Sequence, residues 1–253
     1  VKSAVKEGVH IETSSSFDID LILKLFKDGL ISKKIILVHN GYKTDDYLSK
    51  ILKLNKLGFK NSVTILDSME EVERLVKKLS RSKSKIKIGL RLAIDEEPQS
   101  AYYTSRLGIR QSEILEFYKE KIKNNEKLDL KMVHFFVDSG IKDSLYYWGE
   151  FKRALQLYTE LKKSSEKLEY FNLGGGFPIR NNLGFEYDYE YMIREIVQNI
   201  ADACDAEQIP HPHIFTEFGK YTVGEAGAII FEVLEHKQQN DTENWYIINN
   251  SLM

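Results

Sequence analysis

The chain has 253 residues, 42% of them hydrophobic and 29% charged, enough to bury one large core. Lys and Arg number 36 against 38 Asp and Glu, a formal charge of -2, so the composition carries neither a nucleic-acid stripe nor an acidic tail. A single cysteine, Cys204, excludes a disulfide within the chain and fits a reducing, cytoplasmic setting, while no apolar run approaches the ~20 residues of a membrane span.

In chain order, residues 1–8 read as a helical stretch closed by Gly8, not as a signal peptide, so the chain is expected to start within a fold. Strands are expected over 9–15, 34–40, 62–66, 86–94, 130–137, the residues before Gly174, and 213–217. Between them, helices are expected over 17–29 with Ser16 as N-cap, 44–57 stopped by Gly58, 69–79, 111–123, 145–161 and 189–204. Cys204 falls in the last of these as a small buried hydrophobe. From Ala226 the texture changes, and 228–234 and 245–249 are strand-like runs around a polar turn, 238–243.

Alternation of strand and helix implies parallel strands joined by right-handed crossovers. The fold class is therefore α/β. A (β/α)₈ TIM-type barrel needs eight strands in about 250 residues, and seven are counted, so the barrel is expected to lack its first strand. An open, doubly wound sheet is the competing architecture. The barrel is assigned to residues 1–225 and the opening strands of an antiparallel β domain to residues 226–253.

In a parallel barrel the strand C-terminal ends form the active face. There the chain places Glu12, His39 with Asn40, Arg91, His134 to Ser139, Gly174-Gly175-Gly176, and Glu217-Phe218-Gly219-Lys220. Three successive glycines let backbone N–H groups approach a phosphate, although alone they also suit a flexible turn. Lys220 balances phosphate charge, and two carboxylates remain unexplained by phosphate. Pyridoxal 5′-phosphate uses all of these, because its ring nitrogen needs a carboxylate opposite it to hold a proton. Glu217 is the choice for that carboxylate. The histidines show no metal-ligand spacing.

Leu173-Gly174-Gly175-Gly176-Phe177-Pro178 and Glu217-Phe218-Gly219-Lys220-Tyr221, preceded by Phe136-Val137-Asp138-Ser139-Gly140, resemble the pyridoxal-phosphate-dependent decarboxylases of the alanine-racemase fold. That family acts on ornithine, arginine, lysine and diaminopimelate, and residues 216–225 are most similar to its bacterial biosynthetic arginine decarboxylase branch. The resemblance implies that Gly174, Gly175, Gly176, Gly219 and Lys220 surround the phosphate, that Ser139 adds a hydroxyl, and that Glu217 pairs with the ring nitrogen. It matches Glu12 and Arg91 to an acidic and a basic position near the cofactor. It implies a small-molecule amino-acid substrate, arginine first, and an intact enzyme that is at least a dimer, with no nucleic-acid or membrane partner.

Three departures from the family pattern stand out. Phe136 occupies the position of a histidine that lies flat on the cofactor, and it can stack but not donate a proton; His134, two residues earlier, is expected on the same side of the strand. Phe218 and Lys220 replace a proline and an arginine, and lysine lacks the bidentate fork. The family's cofactor-attaching lysine belongs one strand–helix unit upstream of Glu12, and no lysine here matches it. Lys2, Lys6 and Lys43 are expected to be solvated. This chain alone is thus expected to be inactive, as a piece of a longer enzyme. A racemase on the same barrel is the nearest enzymatic rival, and a non-catalytic homologue binding a protein partner is the rival of another class.

Overall fold

The computed structural model describes residues 1–80, 84–94, 107–180, 184–227 and 229–250. The aromatics Tyr102 and Tyr103, the Ser105-Arg106 pair, part of the lysine-rich run over 80–87, and Ala228 lie outside the described residues.

The order is α1 (Lys2–Lys6), β1 (Ile11–Thr13), α2 (Ser16–Lys27), β2 (Leu37–His39), α3 (Asp45–Leu57), β3 (Ser62–Leu66), α4 (Met69–Leu79) and β4 (Ile86–Arg91). It continues with α5 (Gln111–Phe117) and one π-helical turn over Tyr118–Ile122, then β5 (Leu128–His134), α6 (Leu145–Ser164), β6 (Tyr170–Asn172), α7 (Tyr189–Ala206), β7 (His213–Phe215) and α8 (Gly219–Val223). A hairpin of β8 (Val233–Gln238) and β9 (Asn244–Ile248) follows.

Strands β1 to β7 form one parallel sheet in unbroken chain order. A doubly wound sheet reverses its strand order at a switch point, so the monotonic order excludes it. What remains is the expected incomplete (β/α)₈ barrel, with β1 and β7 as its two edges, and a small antiparallel sheet after it. Gly89 shows why the barrel can be filled: a Cβ there would stand 2.5 Å from Ile65 Cδ1 and 3.1 Å from Met132 Cβ. Those residues, with Val38 and Val63, pack the interior, and a much larger cluster fills the space between sheet and helices.

Local chemistry sets the helix starts. Thr44, Ser68, Ser144 and Asp188 each cap a helix by accepting the backbone N–H three residues on, and Gly58, at φ 104°, ends α3 in the left-handed region. The cap of α2 is Ser15, not Ser16: Asp18 Oδ2 accepts the Ser15 N–H at 2.9 Å, which fixes the start one residue earlier. β5 lies two residues upstream of its expected start and stops at His134, so strand alternation does not extend to Phe136. β4 and β7 also stop short, at Arg91 and Phe215, and β8 runs later than expected, since the polar residues 235–238 pair with 244–247, while β9 starts one residue earlier. Cys204 is fully buried, as expected.

Candidate active site

Glu217 follows β7 by two residues, and its backbone is held against the triple glycine. Its N–H donates to Gly174 O at 2.8 Å, and a Cβ on Gly175 would lie 2.5 Å from Glu217 O. The two bends therefore meet at one mouth. The Glu217 carboxylate turns inward, where Oε1 accepts from Asn40 Nδ2 at 2.8 Å and from Asn172 Nδ2 at 2.7 Å. His134 Nε2 stands 3.5 Å from Oε2, an ion-pair separation without hydrogen-bond alignment. Burial alone would raise this carboxyl, but the facing His134 ring and the two amide donors outweigh it and hold it at about 2. Glu217 is thus an anion prepared in a largely buried place.

The glycine loop supplies the other end. Gly174 and Gly176 have φ of 66° and 110°, which only glycine adopts freely, and a Cβ on Gly174 would stand 2.8 Å from Phe135 O and 2.9 Å from the Phe136 ring. Gly174 N–H donates to Asn172 Oδ1 at 2.9 Å, and Gly176 O accepts from Ile141 N at 2.9 Å. Among the described residues, the N–H groups of Gly175 and Gly176 donate to nothing. Gly140, where a Cβ would come within 2.7 Å of Gly176 O, packs against this loop, and the preceding Ser139 is exposed. Gly219 N–H returns to Glu217 O at 2.9 Å, and Lys220 is exposed on the first turn of α8. Phe218, in place of the family's proline, stacks on Phe177 at 4.3 Å between centroids.

The remaining expected residues complete the rim. Glu12 accepts from Ser14 Oγ at 3.2 Å; partial burial and then the Glu217 charge raise its carboxyl, which puts the two acids within electrostatic reach. Arg91 Nε lies 3.8 Å from Asp67 Oδ1, with its guanidinium 6.0 Å from the Phe136 ring centroid. His134 and Phe136 thus divide the space: the histidine faces Glu217, and the phenylalanine lies against Gly174 and Arg91. His39 instead turns into the core, its Nδ1 2.7 Å from Thr13 Oγ1, and burial and then the Lys43 charge push it down to about 3.

Lys43 corrects the expectation of a solvated side chain. It is 1% exposed, its ammonium reaches Gly41 O, and it lies 4.0 Å from Glu71 Oε2. Burial lowers it to about 8 against the pull of the Glu71 and Asp67 carboxylates. Loop position misled here because Glu71, itself fully buried, folds the loop inward by accepting Lys43 N–H at 2.6 Å and Asp67 N–H at 2.9 Å. Sequence reasoning also passed over Asn172, which stands at the end of β6, two residues before Gly174.

The residues fit a ligand that is anionic at one end and a protonated nitrogen at the other. Among the described residues, the N–H groups of Gly175 and Gly176 are without acceptors at one end, and the inward, largely buried Glu217 carboxylate lies at the other. Buried polar atoms with no hydrogen-bond partner among the described residues, Asn40 Oδ1 and His134 Nδ1, stand around the carboxylate. Such a barrel mouth defines a cofactor-binding domain of the phosphate-and-pyridine type.

Residues 1–224 match the family described as "Pyridoxal-dependent decarboxylase, pyridoxal binding domain", and the chain belongs to that family. It is similar to the biosynthetic arginine decarboxylase of Prochlorococcus marinus (strain MIT 9515), 27% identical over 90% of this chain and 36% of that protein. In structure it resembles the diaminopimelate decarboxylase of Helicobacter pylori complexed with L-lysine, with a TM-score of 0.71 and 20% identity over 98% of this chain and 60% of that one. The biosynthetic arginine decarboxylase of Campylobacter jejuni gives 0.67 and 22%, over 87% of this chain and 36% of that one. The chain spans about a third of the length of the curated relatives it matches. Among the described residues no helix is long and apolar enough to cross a membrane.

Proposed function

We propose that the chain is the cofactor-binding part of an enzyme that decarboxylates a basic amino acid, arginine to agmatine before ornithine, lysine or diaminopimelate. Pyridoxal 5′-phosphate, when bound, supplies a ring that accepts the electron pair left as the α-carboxylate departs as CO₂. The observation that carries this reading is the inward Glu217 carboxylate, ionised and clamped by two amides beside a glycine loop with two unused N–H groups.

Each residue then has a task. Glu217 holds the proton on the ring nitrogen, and its low carboxyl keeps it ionised opposite that proton. Gly175, Gly176 and Ser139 would hold the phosphate, Gly174 shapes the loop, and Gly219 with Lys220 would close its outer side. Phe136, which lies against Gly174 and Arg91, would stack on the ring, and Arg91 and Glu12 would set the charge of the rim. His134 faces Glu217 at the nitrogen end, its Nε2 3.5 Å from Oε2. The barrel domain is read as ending at 225, with the antiparallel hairpin after it as a separate unit. The amino-acid ligand and a dimeric whole enzyme belong to the same reading; the comparison with arginine decarboxylases at 25–27% identity supports the choice of arginine.

The test is binding of pyridoxal 5′-phosphate to the chain, followed by quenching of Trp148 and Trp245 fluorescence, with CO₂ release from arginine assayed in the full-length enzyme. Saturable binding that Glu217→Gln weakens, and release of CO₂ from arginine in preference to the other basic amino acids, are the results expected. No binding, or racemisation without CO₂, would overturn the reading.

A further inference from the structure

One side chain joins both ends of the site. Asn172, the last residue of β6, is fully buried. Its Nδ2 donates to Glu217 Oε1 at 2.7 Å and touches Met132 Sδ at 3.6 Å, while its Oδ1 accepts from Gly174 N–H at 2.9 Å. The amide has a donor end and an acceptor end, and this arrangement uses both. Asn40 gives Glu217 a second donor but makes no bond to the glycine loop.

We propose that Asn172 is a positioning residue that couples the carboxylate at the nitrogen end to the glycine loop at the phosphate end, so that the two form as one unit. This rests on the cofactor reading above. If Glu217 shifts, the Asn172 amide shifts with it and moves the Gly174 N–H; Gly174 O is tied back to Glu217 N–H, which closes a ring of three bonds. Such a ring transmits a displacement at either end, because losing any one bond leaves a buried polar group unpaired. Asn172 is bonded to Glu217 and Gly174 and acts through them.

The test compares Asn172→Leu with Asn40→Leu in the whole chain, with two probes: inorganic phosphate, read by ³¹P line shape, and pyridoxal 5′-phosphate, read by fluorescence. Asn172→Leu should weaken both by about tenfold, ~1.4 kcal/mol. Asn40→Leu should weaken only pyridoxal 5′-phosphate. Asn172→Asp keeps the acceptor for Gly174 and should recover phosphate binding, yet its carboxylate faces Glu217 and the pair shares one proton. The pH profile of pyridoxal 5′-phosphate affinity should therefore gain a titration step that the unaltered chain lacks. Should Asn172→Leu fail to fold, the unaltered chain answers: its Asn172 side-chain amide resonance should move on saturation with inorganic phosphate. Phosphate affinity unchanged in Asn172→Leu, superimposable pH profiles for Asn172→Asp, or an unmoved amide resonance would overturn the coupling. Failure of the unaltered chain to bind either probe would instead overturn the cofactor reading itself.

Discussion

Two carboxylates at the same end of the sheet have opposite surroundings. Glu71, at the start of α4, is fully buried, and its oxygens are taken by the backbone N–H groups of Lys43 and Asp67, with the Lys43 ammonium behind. Glu217 is 19% exposed, and its donors are side-chain amides on β6 and just past β2 that leave Oε2 facing His134. Backbone donors spend a carboxylate on folding, by fixing two loops. Side-chain donors leave it oriented and available. On the proposed reading, this difference separates a structural acid from a functional one where charge and position alone do not.

The sharpest break of this contrast is Glu71→Leu, which strands two backbone N–H groups and the buried Lys43; it should cost about 3–5 kcal/mol in urea unfolding. Glu217→Gln should do the reverse, costing less stability than Glu71→Leu while lowering kcat of the full-length decarboxylase by about 10²–10⁴. Stability loss from Glu217→Gln as large as that from Glu71→Leu would erase the distinction. A smaller effect is expected from Gly175→Val, whose side chain would collide with Glu217 O; about tenfold weaker pyridoxal 5′-phosphate binding should accompany a loss of about 1–3 kcal/mol. The acid response bears on the same contrast. The Glu217 carboxyl lies lower in the folded chain, about 2, than its ordinary 4.5, so its contribution to stability is complete above pH ~4.5 and is lost as pH falls toward ~2. Urea midpoints measured across that window should slope less in Glu217→Gln.

Much of the fold was legible because the strand and helix periods are clean: 62–66 and 69–79 fall where the pattern puts them, and Gly58 stops α3. The pairing of Gly174–Gly176 with Glu217 was legible too, since both bends interrupt strands at the same end. Illegible were features set by long-range contacts. Lys43 is buried because Glu71, 28 residues on, captures its backbone. Asn172 reads as an ordinary strand residue until the carboxylate 45 residues later arrives beside it. The bounds of β5 slipped because Phe135, Phe136 and Val137 carry strand-like side chains, while the turn at Gly140 against Gly176 ends the pairing at His134.

The most direct measurement is a crystal structure of the chain with pyridoxal 5′-phosphate. The account requires the ring nitrogen within hydrogen-bond distance of the Glu217 carboxylate and the phosphate on the N–H groups of Gly175 and Gly176. A phosphate seated elsewhere, or a ring nitrogen turned from Glu217, would contradict it.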